Sequence, residues 1–214
     1  MIRIMLVDDH DLFRAGVRSI LQNQEGMIVI GEYANGEDAL EAIRTEAPDL
    51  VLMDVNMPGI GGIEATRKAL RLAPGVKVIA VTVLSEDPFP SQLLDAGARG
   101  YISKGSGSEE MIEAIRTVMR GQHYISSDVA QKLTLANFRN RGESSPFGTL
   151  SAREMQVMLM ITRGQSTQQI SDALFLSPKT VSTYRHRLYE KLDVANDVEL
   201  THLAIRHGLL DNTQ

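Results

Sequence analysis

Cysteine is absent from all 214 residues. That excludes disulfide scaffolds, thiolate zinc sites and cysteine nucleophiles. No apolar run approaches the ~20 residues that a membrane span needs. The opening MIRIMLVDDHD sets acid directly after a short apolar run, without the basic start, long apolar stretch or small-residue cleavage site of a secretory signal. A soluble, cytoplasmic protein with no membrane association is the expectation. Nucleotide-enzyme signatures are missing too: no Gly-x-Gly-x-x-Gly follows the first apolar run, and there is no P-loop, Ser-His-Asp order or metal-binding His pair. What is present is ordinary for a globular chain, with 43% hydrophobic and 23% charged residues, in a length that suits one or two domains.

The net charge of −5 is an average over unlike parts. Residues 1–130 carry 12 basic and 19 acidic side chains, residues 131–146 carry 3 and 1, and residues 147–214 carry 7 and 7. Acid concentrated at the front favours two domains with different tasks.

Through residue 120, short apolar runs alternate with longer amphipathic stretches. Ile2–Val7, Met27–Ile30, Leu50–Met53, Val76–Val81 and the short Gly100–Ile102 read as strands; Leu12–Gln22, Gly36–Thr45, Gly62–Leu72, Pro88–Ala96 and Ser108–Arg120 read as helices. Continuously apolar strands are buried on both faces, so the pattern predicts a doubly wound α/β domain with five parallel strands. Ligands of such sheets bind at the carboxyl ends of the strands. Those ends carry Asp8, Asp9 and His10; Asp54 and Asn56; Thr82; and Ser103 and Lys104. A single aspartate after a strand is commonly a helix cap or turn residue. Three carboxylates in one mouth repel unless a cation lies among them, and oxygen ligands suit Mg²⁺ (or Mn²⁺) better than zinc. A lysine and a hydroxyl opposite would bind an anionic group held there, so the set has the parts needed to place a phosphoryl group on Asp54.

On Val7-Asp8-Asp9-His10, Met53–Gly59 (MDVNMPG), Thr82 and Tyr101-Ile102-Ser103-Lys104, the chain resembles the flavodoxin/CheY-like receiver domain of two-component response regulators. The resemblance implies that Asp54 is the phosphoacceptor. It also implies that Asp9, Asp54 and the Asn56 backbone carbonyl hold Mg²⁺, with Asp8 helping through water, and that Thr82 and Lys104 contact the phosphoryl group. Tyr101 would then be an aromatic switch that follows Thr82, altering a surface of the fourth helix, fifth strand and fifth helix that often mediates dimerisation. The other reading of Tyr101 is a half-buried strand aromatic with no such role.

After residue 122 the rhythm ends. A region 123–147 reads as linker, with a short helix at Ser126–Leu135 and the polar stretch Asn137–Gly148 (NFRNRGESSPFG). Residues 148–214 then show four helical segments, Ser151–Arg163, Ser166–Phe175, Pro178–Leu192 and Val198–His207. Ser151 with Glu154 makes a capping box, and Ser177-Pro178 is a strong helix start after a tight turn. The third segment sets Val181, Leu188 and Leu192 on one stripe and Ser182, Thr183, His186, Arg187 and Glu190 on the other. Residues 177–192 carry four basic side chains and one acidic one, an electrostatic footprint for phosphate contact, or else a solvated cationic face.

On Leu150–Glu154 (LSARE), Gly164-Gln165-Ser166, Ile170, Leu176-Ser177, Thr180-Val181 and Lys191-Leu192, this segment resembles the all-α LuxR-type (NarL/FixJ) helix-turn-helix domain. By that resemblance Ser182, Thr183 and His186 face bases, and Lys179, Thr180, Arg185 and Arg187 face phosphates. Related domains often have Asn-Lys-Glu at Thr167-Gln168-Gln169 and a lysine at Ser182; fewer cations mean weaker nonspecific binding and more reliance on dimerisation. Finer likenesses at Met53–Thr66, Val81–Pro90, Ser145-Pro146-Phe147, Leu176–Thr180, Asp197–Leu200 and Arg206-His207-Gly208 point to the GacA/UvrY group. Members pair with a large hybrid sensor kinase and activate genes for small regulatory RNAs. The expectation is a phosphorylation-switched transcription factor. Its partners are a sensor histidine kinase, promoter DNA, RNA polymerase and, when phosphorylated, a second copy of itself. Pro88 and Pro90 would tighten the start of the fourth helix on the switching face. The competing readings are a Mg²⁺-dependent phosphohydrolase acting through Asp54, disfavoured because Val55 and Asn56 supply no second carboxylate, and a phosphate-independent interaction protein.

Overall fold

A computed structural model describes residues 1–83, 89–131, 145–207 and 209–210 of the chain. The N-terminal part runs β1 (Ile2–Val7), α1 (Asp11–Gln22), β2 (Met27–Tyr33), α2 (Gly36–Glu46), β3 (Leu50–Met53), α3 (Gly61–Leu72), β4 (Lys77–Thr82), α4 (Phe89–Asp95), β5 (Gly100–Ser103), α5 (Ser108–Met119) and β6 (Tyr124–Ile125). Strands lie in the order β2-β1-β3-β4-β5-β6, every neighbouring pair parallel. The expected doubly wound α/β architecture is present, with six strands instead of five. Two residues carry too little pattern to announce β6. Its backbone decides the matter: the Tyr124 N–H donates to the Arg99 carbonyl at 3.0 Å and the Ser126 N–H to the Tyr101 carbonyl at 2.9 Å. The added strand covers the edge that β5 would otherwise expose.

Apolar strands are continuous because alternate residues serve opposite cores. Ile4, Leu6, Leu52 and Ile79 pack with Val17, Leu21, Met111 and Ile115 of α1 and α5. Met5, Val7, Val51 and Val78 pack with Ala39, Ile43, Ala65 and Ala69 of α2 and α3. The sheet order reverses beside β1, so the carboxyl ends of β1 and β3 open a crevice, the expected place for a ligand.

Pro88 lies outside the described residues, as do residues 132–144 of the linker and Gly208. Pro90 is buried in the first turn of α4. The linker helix is described over 127–131 only. A 3-10 turn at Pro146–Thr149 then leads into α6 (Ala152–Thr162), α7 (Thr167–Leu174), α8 (Pro178–Leu192) and α9 (Asp197–Arg206). Phe147, which composition assigns to the linker, is fully buried and meets the His207 ring edge-on, centroids 5.5 Å apart. Ser151 with Glu154 and Ser166 with Gln169 form capping boxes, and the Ser177 side chain caps α8 ahead of Pro178. Among the described residues no helix is long and apolar enough to cross a membrane.

The two parts share one apolar cluster, in which Val55, Ile63, Phe89, Leu93 and Tyr101 join Phe147, Met155 and Leu159. Gln92 of α4 donates to the Leu150 carbonyl at 3.0 Å, and the Gly59 N–H donates to the Ala173 carbonyl at 2.9 Å.

Candidate functional site

β1 and β3 end side by side, with the Asp54 N–H donating to the Val7 carbonyl at 2.7 Å. This pairing sets Asp8 and Asp54, both nearly buried, against each other. Lys104, just past β5, reaches across: its Nζ lies 2.8 Å from Asp54 Oδ2 and 2.7 Å from Asp8 Oδ2. The Phe13 ring flanks that ammonium at 4.9 Å. Asp9 and His10 sit at the solvent edge, and ligating atoms of Asp8, Asp9, His10 and Asp54 all fall within 4.8 Å of one another. The second Asp54 oxygen, Oδ1, accepts from the Asn56 N–H at 3.2 Å. Arg14 closes the far side through the Asp8 carbonyl and the Asp11 carboxylate.

Burial pushes the Asp54 carboxyl above its usual range, only partly offset by the Lys104 bond. Burial alone would lower Lys104, but its bonds to Asp54 and Asp8 outweigh that and hold it above its usual range. Asp8 Oδ2 is buried, and the Lys104 ammonium lies against it at 2.7 Å. Carboxylate oxygens of Asp8, Asp9 and Asp54 gathered this closely fit a hard divalent cation such as Mg²⁺.

Thr82 ends β4, fully buried, and its carbonyl accepts from the Lys104 N–H at 2.9 Å. Tyr101 is not half-buried but wholly enclosed, and burial pushes its phenol up. The strand position was legible; its depth follows from α4, the segment after β6 and the C-terminal part closing over it.

At the other end, α7 stops at Phe175, in the left-handed region with φ 52°, and α8 begins three residues later at Pro178. Val181, Leu188 and Leu192 are buried as the helical stripe requires, while Lys179, Ser182, Thr183, His186 and Arg187 are exposed. Two of the expected phosphate contacts turn elsewhere. Thr180 shares a hydrogen bond with the Ser177 hydroxyl at 2.8 Å, and Arg185 pairs with Asp197 of α9 at 3.2 Å.

Residues 4–116 match the response regulator receiver domain, and residues 148–204 match the luxR family of bacterial regulatory proteins. The chain is a LuxR-type response regulator. Such regulators join a receiver to a DNA-binding module that controls transcription. This response regulator is 56% identical over 211 residues to the response regulator GacA of Pseudomonas viridiflava, across 99% of both chains. It is 54% identical over 209 residues to the response regulator UvrY of Escherichia coli K12, across 98% of this chain and 96% of the relative. Among solved structures, the response regulator ChrA of a heme-sensing two-component system aligns over 98% of both chains with 32% identity and a TM-score of 0.55. RcsB from Salmonella enterica serovar Typhimurium, bound to promoter rprA with the phosphomimetic BeF3−, shares the fold at a TM-score of 0.70 and 22% identity, over 95% of this chain and 98% of RcsB.

Sequence reasoning missed several residues around the regulator's site. A Cβ on Gly62 would fall on the Asp54 carbonyl oxygen, so only glycine lets α3 start there. Arg153 and Gln156 of α6 bond the backbone of the loop after Asn56. Adjacent glycines hinted at the first. No local signal marks the other two, because their partners lie about a hundred residues away in the chain.

Proposed function

We propose that this response regulator is switched by transfer of a phosphoryl group from a sensor histidine kinase to Asp54, and that the switch controls promoter binding by α8. The observation that carries the reading is Lys104 bridging two buried carboxylates, Asp54 and Asp8, at the mouth of a parallel sheet. Asp8, Asp9, Asp54 and the Asn56 carbonyl would hold Mg²⁺ (or Mn²⁺), which when bound neutralises charge on the transferred group.

In the transfer an Asp54 oxygen forms the bond to phosphorus as the bond to the donor nitrogen breaks, and the donor histidine keeps that electron pair. The product adds about −1.5 to −2 charge and three acceptor oxygens beside Lys104 and Thr82. Lys104 then follows the phosphoryl oxygens, and Thr82 turns its hydroxyl to them. The space Thr82 vacates admits Tyr101, whose movement remodels the α4–β5–α5 face for pairing with a second copy. A dimer presents two α8 helices about one DNA turn apart, ~34 Å, to paired half-sites. Ser182, Thr183 and His186 read base edges there; Lys179 and Arg187 hold phosphates, with Thr180 and Arg185 at the margin. RNA polymerase is the partner downstream, and the cytoplasm is the compartment. No enzymatic turnover beyond the single labelling event is assigned.

The test is a mobility-shift titration on a target promoter, with and without a small phosphodonor and Mg²⁺. Affinity should rise with phosphodonor in the wild type and stay at the basal level in Asp54→Ala. Equal affinity under all conditions would remove the phospho-switch.

A further inference from the structure

The outward face of α8 has a definite hydrogen-bonding polarity. At about 100° per residue, Ser182, Thr183, His186 and Glu190 share one exposed arc, opposite buried Val181, Leu188 and Leu192. The Ser182 hydroxyl donates to the Pro178 carbonyl at 3.0 Å, and the Thr183 hydroxyl to the Lys179 carbonyl at 3.0 Å. A carbonyl cannot donate, so both hydroxyl protons are committed to the helix and each oxygen turns only lone pairs outward. Either hydroxyl would have to give up its helix bond before donating to a base. The Glu190 carboxylate accepts only, and its Oε1 lies 3.3 Å from His186 Nε2. That neighbour favours the neutral tautomer with its proton on Nε2, which leaves Nδ1 as an acceptor. Lys179 and Arg187 carry donors on the same face, and their long stems suit the phosphates that flank the groove.

The four base edges of the major groove answer such a face unequally. Guanine shows two acceptors, N7 and O6, whereas adenine and cytosine each show an exocyclic amino donor. An acceptor set against an acceptor leaves two desolvated groups unpaired. We infer that α8 reads its half-site through the amino groups of adenine and cytosine, and that the guanine edge goes unread beneath Ser182–Glu190. The inference rests on α8 being the DNA-reading helix. Part of the specificity is then repulsive: a guanine edge turned toward the stripe meets lone pairs, and Glu190 adds a negative charge there.

The full-length chain, with and without acetyl phosphate and Mg²⁺, would select duplexes from a randomised pool, and the preferred half-site would then be altered atom by atom. Purine in place of adenine, and pyrimidin-2-one in place of cytosine, delete the amino group. The 7-deaza forms of adenine and guanine delete N7 and keep the base pair. At the contacted pairs, amino deletion should weaken binding roughly three- to tenfold, the ratio expected for one ordinary hydrogen bond, and N7 deletion should change it by less than about twofold. In a second arm, Ser182→Lys sets a free donor on the stripe. That variant should acquire a preference for guanine at one pair and become sensitive to 7-deazaguanine there. Amino deletion without effect at every pair, wild-type binding that N7 deletion weakens as much, or a Ser182→Lys chain with unchanged base preference would each overturn the acceptor reading and leave α8 as the DNA-reading helix. A pool that yields no preferred duplex, with or without phosphodonor, would overturn both.

Discussion

Replacing Lys191 should loosen the recognition helix by an amount that depends on the charge of Glu154. Lys191, in the last turn of α8, donates to Glu154 Oε2 at 2.8 Å. The same oxygen accepts from the Ser151 N–H at 2.8 Å and the Ser151 hydroxyl at 2.9 Å, so one carboxylate ties the cap of α6 to the end of α8. Burial pushes this carboxyl up, but its bonds from Lys191 and Ser151 outweigh that and hold it below the usual range. Hydrogen bonds to charged groups contribute ~1.5–3 kcal/mol. The Glu154 side chain is only 6% exposed, but that of Lys191 is 41% exposed, so solvent screens the pair. A coupling of about 1–2 kcal/mol is the discounted expectation. The assay is a double-mutant cycle of Glu154→Gln and Lys191→Met in the full chain, by denaturant unfolding with circular dichroism. A folded pKa below the unfolded one means that ionised Glu154 favours the folded chain at neutral pH. This contribution holds above the ordinary carboxyl value of about 4.3 and disappears as pH falls through the lower folded value. Coupling below about 0.3 kcal/mol at pH 7, or coupling that persists undiminished at pH 3, would refute the reasoning.

Other substitutions test separate parts of the molecule. Gly62→Ala should cost about 1–3 kcal/mol and displace the Asp54 backbone, visible as a lower melting temperature and lost phosphodonor labelling. In chelator, Asp54→Asn should melt higher than the wild type, because a raised folded pKa makes ionised Asp54 oppose folding at neutral pH. That gain should fade as the solution is acidified toward the unfolded value of about 3.9, and no gain at pH 7 would contradict it. Arg187→Ala should weaken DNA binding across sequences and reduce the salt slope by about 1, whereas Arg185→Ala should act chiefly on stability through Asp197; a reversed pattern in salt titrations would contradict the assignment. Phe175→Gly should stabilise the C-terminal domain by about 0.5–1 kcal/mol, since the side chain is 76% exposed and its backbone is left-handed; a lower melting temperature would show that Phe175 packs productively.

Most of the architecture is local in origin. Apolar runs with matched helical stripes made the α/β order legible, and Ser151, Ser166 and Ser177 mark helix starts by chemistry that acts over three residues. Where the reading fell short, the missing partner was distant. β6 exists because the backbone carbonyls of Arg99 and Tyr101 accept the N–H groups of Tyr124 and Ser126. Phe147 is core because His207 and α6 close around it, though its neighbours in sequence are polar. Arg185 looked like its exposed neighbour Arg187 until α9 brought Asp197 beside it.

The carboxylate site divides along the same line. Motif spacing by itself determined that Asp8, Asp9, Asp54, Thr82 and Lys104 stand at strand ends, because strand direction and period follow from residue order. It also determined which face of α8 is outward, because helical periodicity is fixed by the backbone. Only the tertiary structure decided that Lys104 spans Asp54 and Asp8, that Tyr101 is wholly enclosed, and that Arg153 and Gln156 fasten the Asp54 loop. The first depends on how distant strands align in one sheet and the others on how two domains pack, and packing is a property of surfaces that a linear pattern does not encode.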